Sequence, residues 1–292
     1  MHIFDPHIHM TSRTTDDYEA MYAAGVRAVV EPAFWLGQPR TNVGSFLDYF
    51  DGLLGWERFR ASQFGIRHHA TIALNPKEAN DPRCVPIMEE LPRYLSKEGV
   101  VAVGEIGYDS MTPAEDDAFS RQLNLASEHS LPVMVHTPHR DKLAGTHRTL
   151  DVVRESTIPP ESVLVDHLNE TTVELVKKSG AWMGFSIYPD TKMDETRMIA
   201  ILKRYGTERI LVNSAADWGR SDPLKTARTK DAMLAAGFGA DEVERVFWKN
   251  PVEFYGQSGR LILDPVPGFN ASVSGQHEGN YEGNSVLRGV RA

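Results

Sequence analysis

Short apolar runs recur along the chain, separated by polar stretches with helical spacing. Eight runs are rich in Val, Ile and Ala: IFDPHIH at 3–9, VRAVVEPAF at 26–34, IRHHATIAL at 66–74, VVAVGEIG at 100–107, PVMVHT at 132–137, VLVDHL at 163–168, AWMGFSIY at 181–188 and RILVNSA at 209–215. Their apolar character is continuous rather than alternating, as expected of parallel strands buried on both faces. The intervening segments predict helices. DDYEAMYAAG follows the first run, with Thr15 or Asp16 placed to cap it, and a long segment at 42–62 follows the second. In the segment at 83–99, Pro86 suits a first turn and Pro92 is expected to kink or split the helix. Thr112 and Pro113 open the next helix, with acids in its first turn. Four more helical segments follow the later runs, and DEVERVFWKNPVEFYG at 241–256 adds a terminal helix or two.

Strand then helix, eight times over, predicts an α/β protein, a (β/α)8 TIM barrel with an outer ring of helices. The competitor is an open doubly wound sheet, disfavoured because no Gly-rich phosphate loop follows the first strand. Residues 1–260 are assigned to the barrel and 261–292 to a C-terminal extension. The Gly-, Ser- and Asn-rich stretch from 265 onward has little periodicity.

Composition narrows the functional classes. Of 292 residues, 31 are Lys or Arg and 40 are Asp or Glu, a net charge of −9, which argues against a nonspecific phosphate-backbone binder but not against an acidic pocket for small substrates. The single cysteine, Cys84, excludes an intrachain disulfide. No run approaches the ~18 apolar residues of a membrane helix. With no leader pattern at the start, a cytoplasmic location is expected.

In a parallel barrel, chemistry gathers at the C-terminal strand ends. His7 and His9 alternate onto one side of the first strand, with Asp5 deeper in the same direction. Glu105, His136, His167 and Asp217 fall at or after the ends of strands four, five, six and eight. Each alone has an ordinary explanation: a surface histidine on an edge strand, a hydrogen-bonded core histidine, a carboxylate paired with arginine. Together, four histidines and two carboxylates converging from five strand ends point to a metal site. His68 and His69 are adjacent, so at most one faces inward, and a buried structural role is favoured for them.

These residues carry a resemblance. DPHIH at 5–9, VGEIGYD at 103–109, PVMVHT at 132–137, the His167 segment and NPVEFYG at 250–256 resemble the TatD-related branch of the amidohydrolase superfamily, over roughly residues 1–260. The resemblance implies a metal-dependent hydrolase with two divalent ions: one at His7, His9 and Asp217, one at His136 and His167, and Glu105 bridging. Zinc is favoured by availability, with Mn, Fe or Mg as alternatives. It also implies catalytic roles for Asp217, as ligand and proton shuttle, and for Glu105. The chain departs from the family in two places. Ala215 falls where the last-strand aspartate is usual, so Asp217 serves only if that strand continues; Asp222 competes but better suits a helix cap. Pro138 stands where the family often has arginine, followed by His139 and Arg140. Asp5 is an even choice between a buried structural acid and a partner for a ligand histidine.

Substrate-contact candidates are Arg140, His139, Glu170, Asn213 and Trp218. The expected substrate is a small ester, lactone, amide or phosphoester. The alternatives are a TatD-like deoxyribonuclease, or a metal-binding barrel that acts mainly as an assembly partner. A homo-oligomer fits the extension, and no membrane partner is expected.

Overall fold

The computed structural model describes residues 1–269 other than Leu36 and Gln38; residues 270–292 of the predicted extension lie outside the described residues. Eight parallel strands form one sheet in sequence order: β1 Ile3–Asp5, β2 Val26–Pro32, β3 Arg67–Ile72, β4 Val100–Gly107, β5 Val133–His136, β6 Val163–Val165, β7 Trp182–Ser186 and β8 Ile210–Asn213. Each strand is followed by helix, so this is the (β/α)8 barrel. The circle is drawn shut just beyond the ends of β8 and β1. His9 N–H donates to the Ala216 carbonyl at 2.8 Å, and Ala215 N–H donates to the His7 carbonyl at 2.9 Å.

Local chemistry explains most element boundaries. β1 stops at Asp5 because Pro6 has no N–H to donate. Residues 43–62 form one helical stretch, opened by Asn42, whose side chain accepts from Ser45 N–H, and interrupted by a π turn at Gly52–Glu57. Pro92 does split its segment, into a 3-10 turn Val85–Glu89 and a helix Leu91–Leu95. Thr112 caps the helix Pro113–Glu128 by accepting from Glu115 N–H. The first helix, Thr15–Ala23, is capped one residue earlier than predicted: Thr14 and Asp17 exchange side-chain-to-backbone bonds across the first turn.

Two apolar layers hold the barrel. Between strands and helices lies the larger core, with Phe46, Phe50, Ile72, Tyr94, Ile106, Phe119 and Phe185 all buried. Inside the barrel, Phe4, Val30, Val101, Met134, Leu164 and Leu211 pack together with Phe254 and Tyr255. The terminal helix Asn250–Gly256 therefore plugs the N-terminal end. Its Asn250 amide donates to the Thr207 and Ile210 carbonyls, and the Tyr255 hydroxyl donates to the Pro6 carbonyl at 2.7 Å.

The start of the extension stays at that same end. Arg67 donates to the Asp264 and Pro265 carbonyls, His69 Nε2 lies 3.0 Å from the Ile262 carbonyl oxygen, and Phe269 packs edge-on against Tyr22. The described part thus runs across the entry to β3, opposite the strand ends where chemistry is expected. Among the described residues no helix is long and apolar enough to cross a membrane.

Because Phe254 fills the barrel interior at 0% exposure, Phe254→Ala is expected to lower the unfolding free energy by about 3–5 kcal/mol. Denaturant titration reads this directly, and a loss under about 1 kcal/mol would show that the helix is not a structural plug.

Candidate metal centre

The strand ends bring five of the six predicted ligand side chains into one buried cluster. His7, His9, Glu105, His136 and His167 are each 7% exposed or less. Glu105 Oε1 lies 3.6 Å from His7 Nε2, 3.4 Å from His136 Nδ1 and 3.3 Å from His167 Nε2. The Nε2 atoms of His7 and His9 are 3.0 Å apart. Among the described residues, three sets of possible ligand atoms fall within 4.8 Å of one another: His7 with His9 and Glu105; Glu105 with His136 and His167; and His7 with Asp166 and His167.

The cluster suits a cation. Burial alone would raise the pKa of Glu105, but His7 and the bonds from His136 and His167 hold it well below the ordinary carboxylate value. Burial, with the charge on His7, pushes His9 well below the ordinary imidazole value; burial, with the charge on Lys192, does the same for His167. For His7 burial works against the charged form, yet Glu105 and Asp166 outweigh it and raise its pKa. The site therefore offers an ionised carboxylate and at least two neutral imidazoles, the protonation states that ligate a metal. The ring nitrogens facing the cluster crowd together, His7 Nε2 on His9 Nε2 at 3.0 Å and His136 Nδ1 and His167 Nε2 on one oxygen of Glu105, a donor set that a shared cation fits.

A second layer of polar groups aims the rings. Asp166 Oδ2 lies 2.6 Å from His7 Nδ1. The Asn213 amide donates to both Asp166 oxygens at 3.1 Å, and the His167 N–H donates to Oδ1 at 2.7 Å. Ser186 Oγ holds His167 Nδ1 at 2.7 Å, and the Asn75 amide donates to Glu105 Oε2 at 3.3 Å. Such partners fix the tautomer and direction of a ligand histidine. His167 itself has φ 60°, a left-handed conformation costing about 1–3 kcal/mol that the surrounding bonds must hold in place.

Sequence reasoning missed Asp166, although an acid directly before a strand-end histidine in VLVDHL was the available signal. Asp5 does not take the partner role. It accepts from the backbone N–H groups of His7 and Ser214, and burial pushes its pKa up to about 7.

Asp217 stands apart. β8 ends at Asn213 and Ala215 has φ 43°, so the strand does not continue and the expected alternation is broken. The Asp217 carboxylate turns to its own loop, where Oδ1 accepts from Gly219 N–H at 2.7 Å and from the Tyr188 hydroxyl at 3.1 Å. Asp222 accepts from Leu224 N–H and pairs with Arg228 at 2.9 Å, as a residue at a helix start would.

The substrate-contact candidates separate. The His139 ring is 5.9 Å from His136 and 6.3 Å from His167, at the mouth. Trp218 is 55% exposed and meets Trp35 edge-on at 6.2 Å, while Phe34 stacks on His9 at 3.9 Å. Arg140 is exposed. Glu170 pairs with Arg197, and Asn213 lies beneath the ligands, fully buried.

The family model described as TatD related DNase matches residues 4–256. The chain belongs to the TatD-related DNase family. It is a metal-dependent hydrolase of that family. An uncharacterized metal-dependent hydrolase of Methanocaldococcus jannaschii is 27% identical over 258 residues, spanning 87% of this chain and 99% of the relative. The TatD-like protein of Archaeoglobus fulgidus superposes with a TM-score of 0.73 at 23% identity, over 86% of this chain and 99% of that one. A lactonase of Listeria monocytogenes shares the fold at a TM-score of 0.62 and 17% identity, over 87% and 94% of the two chains.

Two outcomes follow from the buried acids. Asp166→Asn should weaken zinc binding roughly 10–100-fold without altering the far-ultraviolet circular dichroism; an unchanged affinity in competition with a chromogenic chelator would remove Asp166 from the ligand-orienting role. Away from the centre, Glu31 sits between strands and helices, accepting from the Thr11 N–H and hydroxyl and lying 2.8 Å from His68 Nε2. Burial pushes its pKa up to about 7 from 4.5, against the Thr11 bonds. A raised carboxyl pKa stabilises the fold fully below the unfolded value, and that contribution is lost as pH rises through about 7. The melting temperature of Glu31→Gln should therefore fall less between about pH 6 and about pH 8 than that of the parent chain, with equal slopes counting against the assignment.

Proposed function

We propose that this chain hydrolyses a small ester, lactone, amide or phosphoester at a centre of two divalent ions, zinc by preference. The observation that carries the reading is the position of Glu105, shared between two three-residue ligand sets. His7, His9 and Glu105 would hold one ion, and His136, His167 and Glu105 the other. When bound, divalent ions supply Lewis acidity and a water of lowered pKa.

The chain's own groups do the rest. Asp166 and Ser186 fix the imidazole directions. Phe34 covers His9 and limits water on that side. Asp217, with Oδ1 engaged by Tyr188 and Gly219, keeps Oδ2 to take a proton from the attacking water and return it to the leaving group. In this reading Asp217 acts from the pocket wall as a proton carrier.

A second reading is a deoxyribonuclease, favoured by the description of the matching family. The net charge of −9, and Pro138 where a phosphate-binding arginine is usual, weigh against it as the main activity. The assembly-partner reading draws on the extension, whose described start lies on the far face of the barrel. We further assign residues 1–260 to the hydrolase unit and 261–292 to an accessory segment, in a cytoplasmic protein.

Protein purified without chelators should carry about two transition-metal ions per chain, falling toward one in His136→Ala. Turnover of a panel of esters, lactones, phosphoesters and single-stranded DNA should be abolished by Glu105→Gln. Metal-free protein of full stability that ignores added zinc would sink the reading, and DNA as the best substrate would reverse the order of the two activities.

A further inference from the structure

One cation in the pocket is unaccounted for by the ligand set. Lys192 lies on the turn after β7, and the backbone of that turn is pinned. Lys192 N–H donates to the Tyr188 carbonyl at 2.8 Å, its carbonyl accepts from Arg197 Nη1 at 2.7 Å, and Ile187 and Met193 form a parallel bridge across the turn. The side chain runs back over the Tyr188 ring, with Nζ 5.4 Å from the ring centroid, toward the phenol that binds Asp217.

Its charge is felt by the groups around the site. It opposes protonation of His7, His9, His139 and His167, while burial lowers its own pKa against the pull of Glu105, Asp166 and Asp217. The geometry that places it is the loop itself, which leaves β7 at the C-terminal end of the barrel, and the contact of Nζ with Tyr188, whose hydroxyl donates to Asp217.

Other lysines around the mouth are committed. Lys77 pairs with Asp109 at 2.7 Å, Lys225 pairs with Glu195 at 2.7 Å, and Lys142 donates to the His167 carbonyl at 2.8 Å. Among the described residues Lys192 Nζ forms no ion pair and no hydrogen bond; its one close partner is the Tyr188 ring. A half-buried ammonium held on a fixed turn, with donors unsatisfied by protein, is built to receive an acceptor from outside. The neighbouring strand-end loops carry aromatic rings, from Phe34 on His9 to Trp35 and the exposed Trp218.

We propose that Lys192 is a specificity-determining cation of the pocket, receiving an anionic oxygen of a small substrate whose apolar part lies along Trp35 and Trp218. The assignment rests on the hydrolytic reading of the same pocket and narrows it to substrates that carry a carboxylate or a phosphate beside the bond that is cut. Arg140, exposed at the rim, is not needed for this role.

The test is calorimetric titration of the zinc-loaded full chain with inorganic phosphate and, separately, with succinate. The parent, Lys192→Met and Lys192→Arg are compared, with zinc content measured on each sample. Lys192→Met should weaken the preferred anion roughly 10–100-fold at unchanged zinc content, and Lys192→Arg, which keeps the charge, should restore most of the affinity. Preference for phosphate identifies phosphoesters as the substrate class, and preference for succinate identifies carboxylate-bearing esters or lactones.

Affinity unchanged in Lys192→Met overturns the proposal. So does a parent chain that binds neither anion, or a loss of zinc that tracks the loss of anion. Lys192-dependent anion binding in a chain that turns over nothing in the substrate panel removes the hydrolytic reading and leaves the anion site standing.

Discussion

The structure depends on keeping one ionised carboxylate, Glu105, dry inside a barrel of apolar strands. A bare carboxylate at 3% exposure would be neutralised or expelled, because water's solvation is worth far more than the interior can return unaided. Here the compensation comes from three imidazoles at 3.3–3.6 Å and the Asn75 amide. Two of those imidazoles, His7 and His167, are held in direction by Asp166 and Ser186 at their outer nitrogens. Asp166 in turn is held below the ordinary carboxylate value, against burial, by the charge on His167, by His7 and by the His167 backbone N–H that donates to it. The charge on Glu105 is therefore supported from β1, β3, β5, β6, β7 and β8 together, and no pair of elements could supply it alone.

That dependence ties the site to closure of the fold. The residues that carry the first two imidazoles also supply the backbone groups joining β1 to the end of β8. Seating Ala215 and Ala216 against His7 and His9 places the imidazoles and completes the circle in one step. The same seam requires the left-handed turn at Ala215, and that turn diverts the following chain toward Tyr188. Closure and the withdrawal of Asp217 from the cluster thus have one geometric cause.

This explains which parts were legible in the sequence. The eight strands were, because burial on both faces leaves continuous apolar runs. The five side chains that the fold gathers into one cluster were, because polar residues at strand ends stand out against those runs. Asp217 was harder: counting by twos assumes an extended backbone, and nothing in NSAAD announces positive φ at an alanine. Asp166 was visible as a letter, but its task is set by His7, 159 residues away. Lys192 gave no signal, since a lysine in a polar turn looks like solvated surface until the turn is folded back over Tyr188. The rule that failed in each case was local, and the interaction that decided was tertiary.

The apparent conflict between an acidic protein and an anionic substrate dissolves on length scale. A net charge of −9 is spread over the whole surface and is screened beyond about 8 Å at physiological salt. In the proposed site, local positive charge would come from Lys192 and from the ions that the imidazoles and Glu105 would hold. A small anion that enters meets that local positive field and leaves the distant carboxylates behind. A long polyanion must lay most of its phosphates against the acidic exterior, where it gains nothing and releases few counterions. On the proposed reading, the same charge distribution would admit a small anionic ester and discourage extended nucleic acid. On that reading, selectivity would come from where the positive charges are placed, in loops that the shared barrel leaves free to vary.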